Sequence, residues 1–147
     1  KMFSGQSNQE MHDRADFCLE RVNLKGKNQL YPSELSGGMM KRVAIARAIS
    51  MKPKYLFCDE PNSGLDPQTS ILIDNLVKEI TEEYNMTTIV ITHDMNSVIE
   101  IGERITFLHK GKMWWSGTSE EILKTENAEV VDFVYASKYM SQLRKKQ

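Results

Sequence analysis

The sequence predicts an α/β fold with parallel strands, and three observations carry that expectation. Two short apolar runs, residues 55–58 and 87–92, have the length and density of strands buried on both faces of a parallel sheet. Between them, residues 68–84 carry Ile71, Leu72, Leu76, Val77 and Ile80 at helical spacing, long enough for a strand-helix-strand crossover. After them, residues 104–108 and 112–116 flank His109-Lys110-Gly111 in the pattern of an antiparallel hairpin.

In chain order, residues 8–22 place Met11, Ala15, Cys18, Leu19 and Val22 close to helical spacing, and Gly26 follows a few residues past the end. A helix is expected there. After Tyr31-Pro32, residues 39–51 interleave basic side chains with Val43, Ala44, Ile45, Ala46, Ala48 and Ile49, which suits a helix packed closely on a neighbour. Ser36-Gly37-Gly38 marks its start. The run 55–58 gives way to charge and proline, and Pro67 opens the crossover helix at its favoured first position. Residues 95–101 form another helix ahead of the hairpin, and the chain ends in one or two helices. Trp114-Trp115 and the stripe Val130, Phe133, Val134 are expected to seal the core rather than form a partner surface. Arg144-Lys145-Lys146 reads as a solvated tail.

At 147 residues, 40% hydrophobic and 27% charged, the chain has the profile of one ordinary globular domain. A formal net charge of -1 argues against nucleic acid as a main partner, because phosphate backbones are met by strongly basic surfaces. Cys18 and Cys58 are expected to be reduced, as in a cytosolic protein. No stretch approaches the roughly 20 apolar residues that cross a bilayer. The start, with Lys1 running into a polar stretch, lacks the apolar core of a signal peptide and reads as a piece excised from a longer protein. The three histidines and two cysteines show no metal-ligand spacing, and His12 and His109 read as surface residues.

The chemistry concentrates in two motifs about twenty residues apart: Leu35-Ser36-Gly37-Gly38-Met39, then Tyr55-Leu56-Phe57-Cys58-Asp59-Glu60-Pro61. A helix that begins at two glycines presents free N–H groups and a positive dipole end, so Ser36, Gly37 and Gly38 can approach a phosphate with no side chain in the way. Alone, Ser-Gly-Gly is more commonly a plain capped helix start. Asp59 and Glu60 fall at the carboxyl end of the first strand, where ligands of open α/β sheets bind. His93 follows the second run and is expected at the same sheet edge. Asp66, in the turn Ser63-Gly64-Leu65-Asp66, can cap the crossover helix.

These motifs, with Ile91-Thr92-His93-Asp94, resemble the ABC ATPases in kind and in order across roughly residues 30–117. The resemblance implies a P-loop NTPase (RecA-like) ABC ATPase fold, present in part. Residues 1–50 would belong to the helical subdomain with the signature motif, 51–117 to the later nucleotide-binding core with a C-terminal hairpin, and 118–147 to C-terminal helices. It also implies ATP and Mg2+ as ligands. Asp59 becomes the Walker B aspartate, holding magnesium through water. Glu60 becomes the carboxylate that orients or deprotonates the attacking water, and His93 the switch residue at the γ-phosphate. Ser36, Gly37, Gly38 and Met39 of the signature, with Asp66 of the D-loop, would meet ATP held by a second ATPase subunit in a homodimer. That dimer would drive integral-membrane permease subunits from the cytoplasmic face of the inner membrane. Asn62 stands where many relatives have threonine.

The chain contains no Gly-x-x-x-x-Gly-Lys-[Ser/Thr] sequence, so by itself it is expected to bind ATP weakly and to be inactive. Met39, where the commonest signature has glutamine, together with Lys41-Arg42 and the preceding Tyr31-Pro32-Ser33-Glu34, resembles the Mla/MCE-type ATPases. That resemblance implies phospholipid transport and an MCE-type lipid-binding protein in the same complex. The alternatives are an ABC ATPase of another import or export system, a soluble non-transport ABC ATPase, and an interaction domain that has lost its site. Asp59, Glu60 and His93 argue against the last.

Overall fold

Ser7 and Glu10 open the first helix reciprocally, the Glu10 N–H donating to Ser7 Oγ (3.2 Å) and the Ser7 N–H to Glu10 Oε2 (2.7 Å). This is α1, Asn8–Arg21, in a computed structural model that describes residue 5 and residues 7–136. The Arg144-Lys145-Lys146 tail lies outside the described residues. The left-handed residue that ends α1 is Asn23, at φ 57°, and not Gly26 farther on. Arg42 donates to the carbonyls of Val22 (3.4 Å) and Asn23 (3.1 Å), placing a cation where the dipole of α1 is negative. Arg14 does the same for α2, Gly37–Ile49, donating to Ile49 O (2.7 Å) and Ser50 O (3.1 Å). The two helices are thus tied at both ends of their contact. A short 3-10 turn, Pro32–Glu34, lies between them, fixed by Pro32 at its first position.

Strand β1, Tyr55–Asp59, crosses through α3, Pro67–Glu83, into β2, Thr87–Ile91, and pairs with it in parallel, with Leu56 opposite Thr88 and Asp59 opposite Ile91. The core of this unit gathers Val22, Ile49, Leu56, Ile73, Val77 and Ile80. One sheet face is covered and the other is not: Leu56 is 4% exposed, whereas Tyr55 and Phe57 are 63% and 69% exposed. This corrects the expectation of strands buried on both faces. Both faces are apolar in sequence, yet among the described residues only one is covered. Cys18 and Cys58 are free and buried, and burial raises both thiols above their ordinary value.

The second unit begins at Thr92 and the first ends at Ile91, so the division coincides with neither boundary drawn from the sequence, after 50 and after 117. Its elements are α4, Met95–Ile101; the antiparallel pair β3, Ile105–His109, and β4, Lys112–Gly117; α5, Ser119–Lys124; and α6, Ala128–Val134. Ile122, Val130 and Val134 form its core, with Trp115 and Phe107 against it. Trp114 faces out, and its indole donates to Glu129 (3.2 Å). No helix among the described residues is long and apolar enough to cross a membrane.

Candidate functional site

Two helix starts meet in the first unit. Ser36 caps α2, its Oγ accepting from the Met39 N–H (3.3 Å) and its carbonyl from the Met40 N–H (2.9 Å). The N–H groups of Gly37 and Gly38 come earlier in the helix than any i→i−4 bond can reach and stand at its open end. Asp66 caps α3, accepting from the Thr69 N–H (3.0 Å) and the Thr69 hydroxyl (2.6 Å). These bonds, hydroxyl first, hold the Asp66 carboxyl below the ordinary aspartate value.

Ser36, Gly37, Gly38, Gly64 and Asp66 line one cleft of about 540 Å³, with Arg42 at its wall. The glycines permit the approach of the two helices: a Cβ on Gly38 would lie 2.7 Å from Thr69 Cγ2, and one on Gly37 would lie 3.4 Å from Leu65 Cδ2. Met39 does not line the cleft. Its side chain is half-buried against the core.

Asp59 and Glu60 stand at the carboxyl end of β1. Glu60 is a non-glycine residue at φ 47°, its N–H donating to Ile91 O (2.9 Å) and its carbonyl accepting from Lys41 Nζ (2.9 Å) and Ser63 Oγ (3.0 Å). Backbone strain of this kind is found where surrounding bonds over-determine a conformation. Asn62 (5% exposed) donates through Nδ2 to both carboxylate oxygens of Asp74 (2% exposed), at 3.2 and 3.1 Å. The turn is thereby tied to α3. Asp74 had no sequence signal as a site residue, because a carboxylate amid a helical apolar stripe reads as an ordinary surface position.

His93 belongs to the second unit, exposed and two residues past the end of β2. Asp94, next to it, caps α4. Among the described residues no group of three or more His, Cys, Asp or Glu could hold a metal ion.

Comparison with known proteins points to one family. A family profile described as "ABC transporter" matches residues 1–63. The methionine import ATP-binding protein MetN of Campylobacter jejuni is 37% identical over 144 residues, covering 97% of this chain and 43% of its own length. The chain is similar to part of an ABC transporter ATPase domain. In Staphylococcus saprophyticus, the MetN protein is 41% identical to it over 127 residues, 86% of this chain and 37% of the relative. The chain thus spans less than half the length of these curated relatives.

Solved structures agree on the ABC cassette fold. The post-hydrolysis dimer of the ATP-binding cassette MJ0796, bound to ADP and Pi, shares 36% identity at a TM-score of 0.69, covering 80% of this chain and 50% of the other. The ADP conformation of MJ1267 shares 27% at 0.78, covering 90% and 52%.

One expectation is corrected. Eight relatives are all methionine import ATP-binding proteins, so the Mla/MCE-type assignment, with its phospholipid cargo and MCE-type partner, is not supported. The physical reason lies at Met39: a side chain packed on the core reports on how α2 sits, not on what is transported.

Proposed function

We propose that this domain belongs to the ATP-binding and hydrolysing subunit of an ABC importer that works as a dimer on the cytoplasmic side of a membrane permease, with methionine or a related amino acid as cargo. The observation that carries the reading is the meeting of two helix N-termini, with Gly37, Gly38 and Asp66, in one open cleft, set in a unit whose first strand ends in two carboxylates. Such a cleft suits the phosphates of a nucleotide, since backbone N–H groups and helix dipoles both favour an anion. The names of the relatives support the cargo, and the dimeric MJ0796 cassette supports the assembly.

The residue roles are those that the resemblance to ABC ATPases implies, and the position of Asp59 and Glu60 at the carboxyl end of β1 supports the first two. Glu60 accepts a proton from the attacking water or orients it. Asp59 holds magnesium through water, as magnesium's reluctance to dehydrate favours. His93 contacts the γ-phosphate. Gly37 and Gly38 offer their N–H groups across the dimer to the partner's nucleotide, and Asp66 couples the two sites across that interface. MgATP supplies the phosphoanhydride bond whose cleavage drives transport.

The test is transport by the full-length protein with its cognate permease in lipid vesicles, with MgATP on the ATPase side. Labelled methionine is expected to accumulate only with ATP, and Glu60→Gln is expected to abolish the accumulation. Accumulation of another solute and none of methionine would withdraw the cargo. ATP hydrolysis that no solute stimulates would withdraw the importer reading.

A further inference from the structure

We infer that Lys41 is a positioning residue for Glu60, linking α2 to the carboxylate turn through the Glu60 backbone carbonyl. The inference rests on the reading of Glu60 as the carboxylate that handles water.

Two backbone regions compete at Glu60. Its φ of 47° is left-handed, a conformation that non-glycine residues avoid. Pro61 follows, and a residue before proline is pushed toward extended backbone. Left to local preference, Glu60 would extend and swing its carboxylate away. Its own hydrogen bonds oppose this. The N–H donates to Ile91 O at 2.9 Å, which fixes φ. On the far side, the carbonyl accepts from Lys41 Nζ at 2.9 Å, Ser63 Oγ at 3.0 Å and the Ser63 N–H at 3.3 Å, which fixes ψ. With both dihedrals held, the Cα–Cβ direction is held.

Lys41 differs from the other two donors in origin. Ser63 belongs to the same turn and moves with it, whereas Lys41 stands on α2, one helical turn after Gly37 and on the same side of the helix. Its ammonium also donates to Ser63 Oγ (3.3 Å), so a single side chain gathers the turn. Lys41 is half-buried, and its bond to a backbone carbonyl carries the added strength of a charged donor. A displacement of the Gly37 end of α2 therefore reaches the carboxylate turn through one side chain.

The test uses the full-length ATPase. Lys41→Met keeps the length of the stem and removes the donor; it is expected to lower kcat about tenfold, the rate equivalent of one charge-assisted hydrogen bond, with KM for ATP nearly unchanged. Lys41→Arg restores a donor and is expected to recover most of the loss. In a Glu60→Gln background, Lys41→Met is expected to leave the residual rate unchanged, because the group it positions no longer acts. Ser63→Ala provides a second arm that does not depend on the folding of the lysine variant, with a smaller fall in kcat and an unchanged KM. Parent-like kcat in Lys41→Met overturns the inference, as does an equal loss in the Glu60→Gln background. Parent-like hydrolysis by Glu60→Gln alone overturns the reading of Glu60 itself, an outcome distinct from either.

Discussion

At the scale of single residues, the two signature glycines separate stability from activity. A methyl group on Gly38 would lie 2.7 Å from Thr69 Cγ2, and Thr69 cannot rotate away without breaking the 2.6 Å bond from its hydroxyl to Asp66. Gly38→Ala is therefore expected to destabilise the fold by about 1–3 kcal/mol, the usual cost of overpacking, as read by denaturant unfolding. Adding Thr69→Ser, which removes the methyl and keeps the hydroxyl, is expected to restore most of the loss. Gly37→Ala meets only ordinary contact at 3.4 Å and is expected to leave stability intact while lowering ATPase activity in the full-length protein. Sequence reasoning gave both glycines one role. Asp66 titrates at this scale too: its folded value lies below the unfolded one of about 3.9, so its contribution is present above that pH and is lost as pH falls through the folded value. Asp66→Asn keeps the cap and is expected to flatten that part of the stability-against-pH curve, measured by thermal melting across the acid range.

Among the elements, helices were more legible than the environment of the strands. The starts of α2 and α3 were visible because Ser36-Gly37-Gly38 and Asp66-Pro67 are capping chemistry written in the sequence, and α4 falls at its expected residues. The end of α1 was not, since asparagine takes the left-handed position that glycine was expected to fill. For β1 and β2, apolar residues on both faces gave the right element and the wrong burial. That difference has a measurable side. Leu56→Ala on the covered face is expected to cost about 2–5 kcal/mol. Phe57→Ser on the bare face is expected to cost little and to raise the solubility of the 147-residue chain, because it removes apolar surface that parallel strands normally hide. Sedimentation and denaturant unfolding of both variants would show it.

For the molecule as a whole, motif order made the resemblance to ABC ATPases legible, while the cargo was not, because Met39 packs on the core and Tyr31-Pro32-Ser33-Glu34 form an exposed turn, neither of which reports on what is transported. The division at Ile91 and Thr92 was also hidden: it depends on α1 and α2 sharing a core with the first sheet, a long-range fact that periodicity does not carry. With no phosphate-cradle sequence in its 147 residues, the chain alone is expected to show no micromolar affinity for MgATP by titration calorimetry. In the full-length protein, Gly37→Asp mixed with a partner lacking its phosphate lysine is expected to regain activity that neither has alone, since one composite site in the mixed dimer is intact. A flat rate across mixing ratios, with heterodimers verified by tagged pull-down, would mean either that the signature acts in cis or that both sites are strictly coupled; mixing the parent with Gly37→Asp separates the two, strict coupling leaving the mixed dimer inactive and independent cis sites leaving it half active. The buried pair of Asn62 and Asp74 adds a chemical clock to all of this. Should the Asn62 amide hydrolyse on prolonged heating, a second carboxylate would face Asp74 at 2% exposure, where two like charges cannot both stay ionised. The shelf life of the folded protein is then set by the age of one side chain as well as by its melting point.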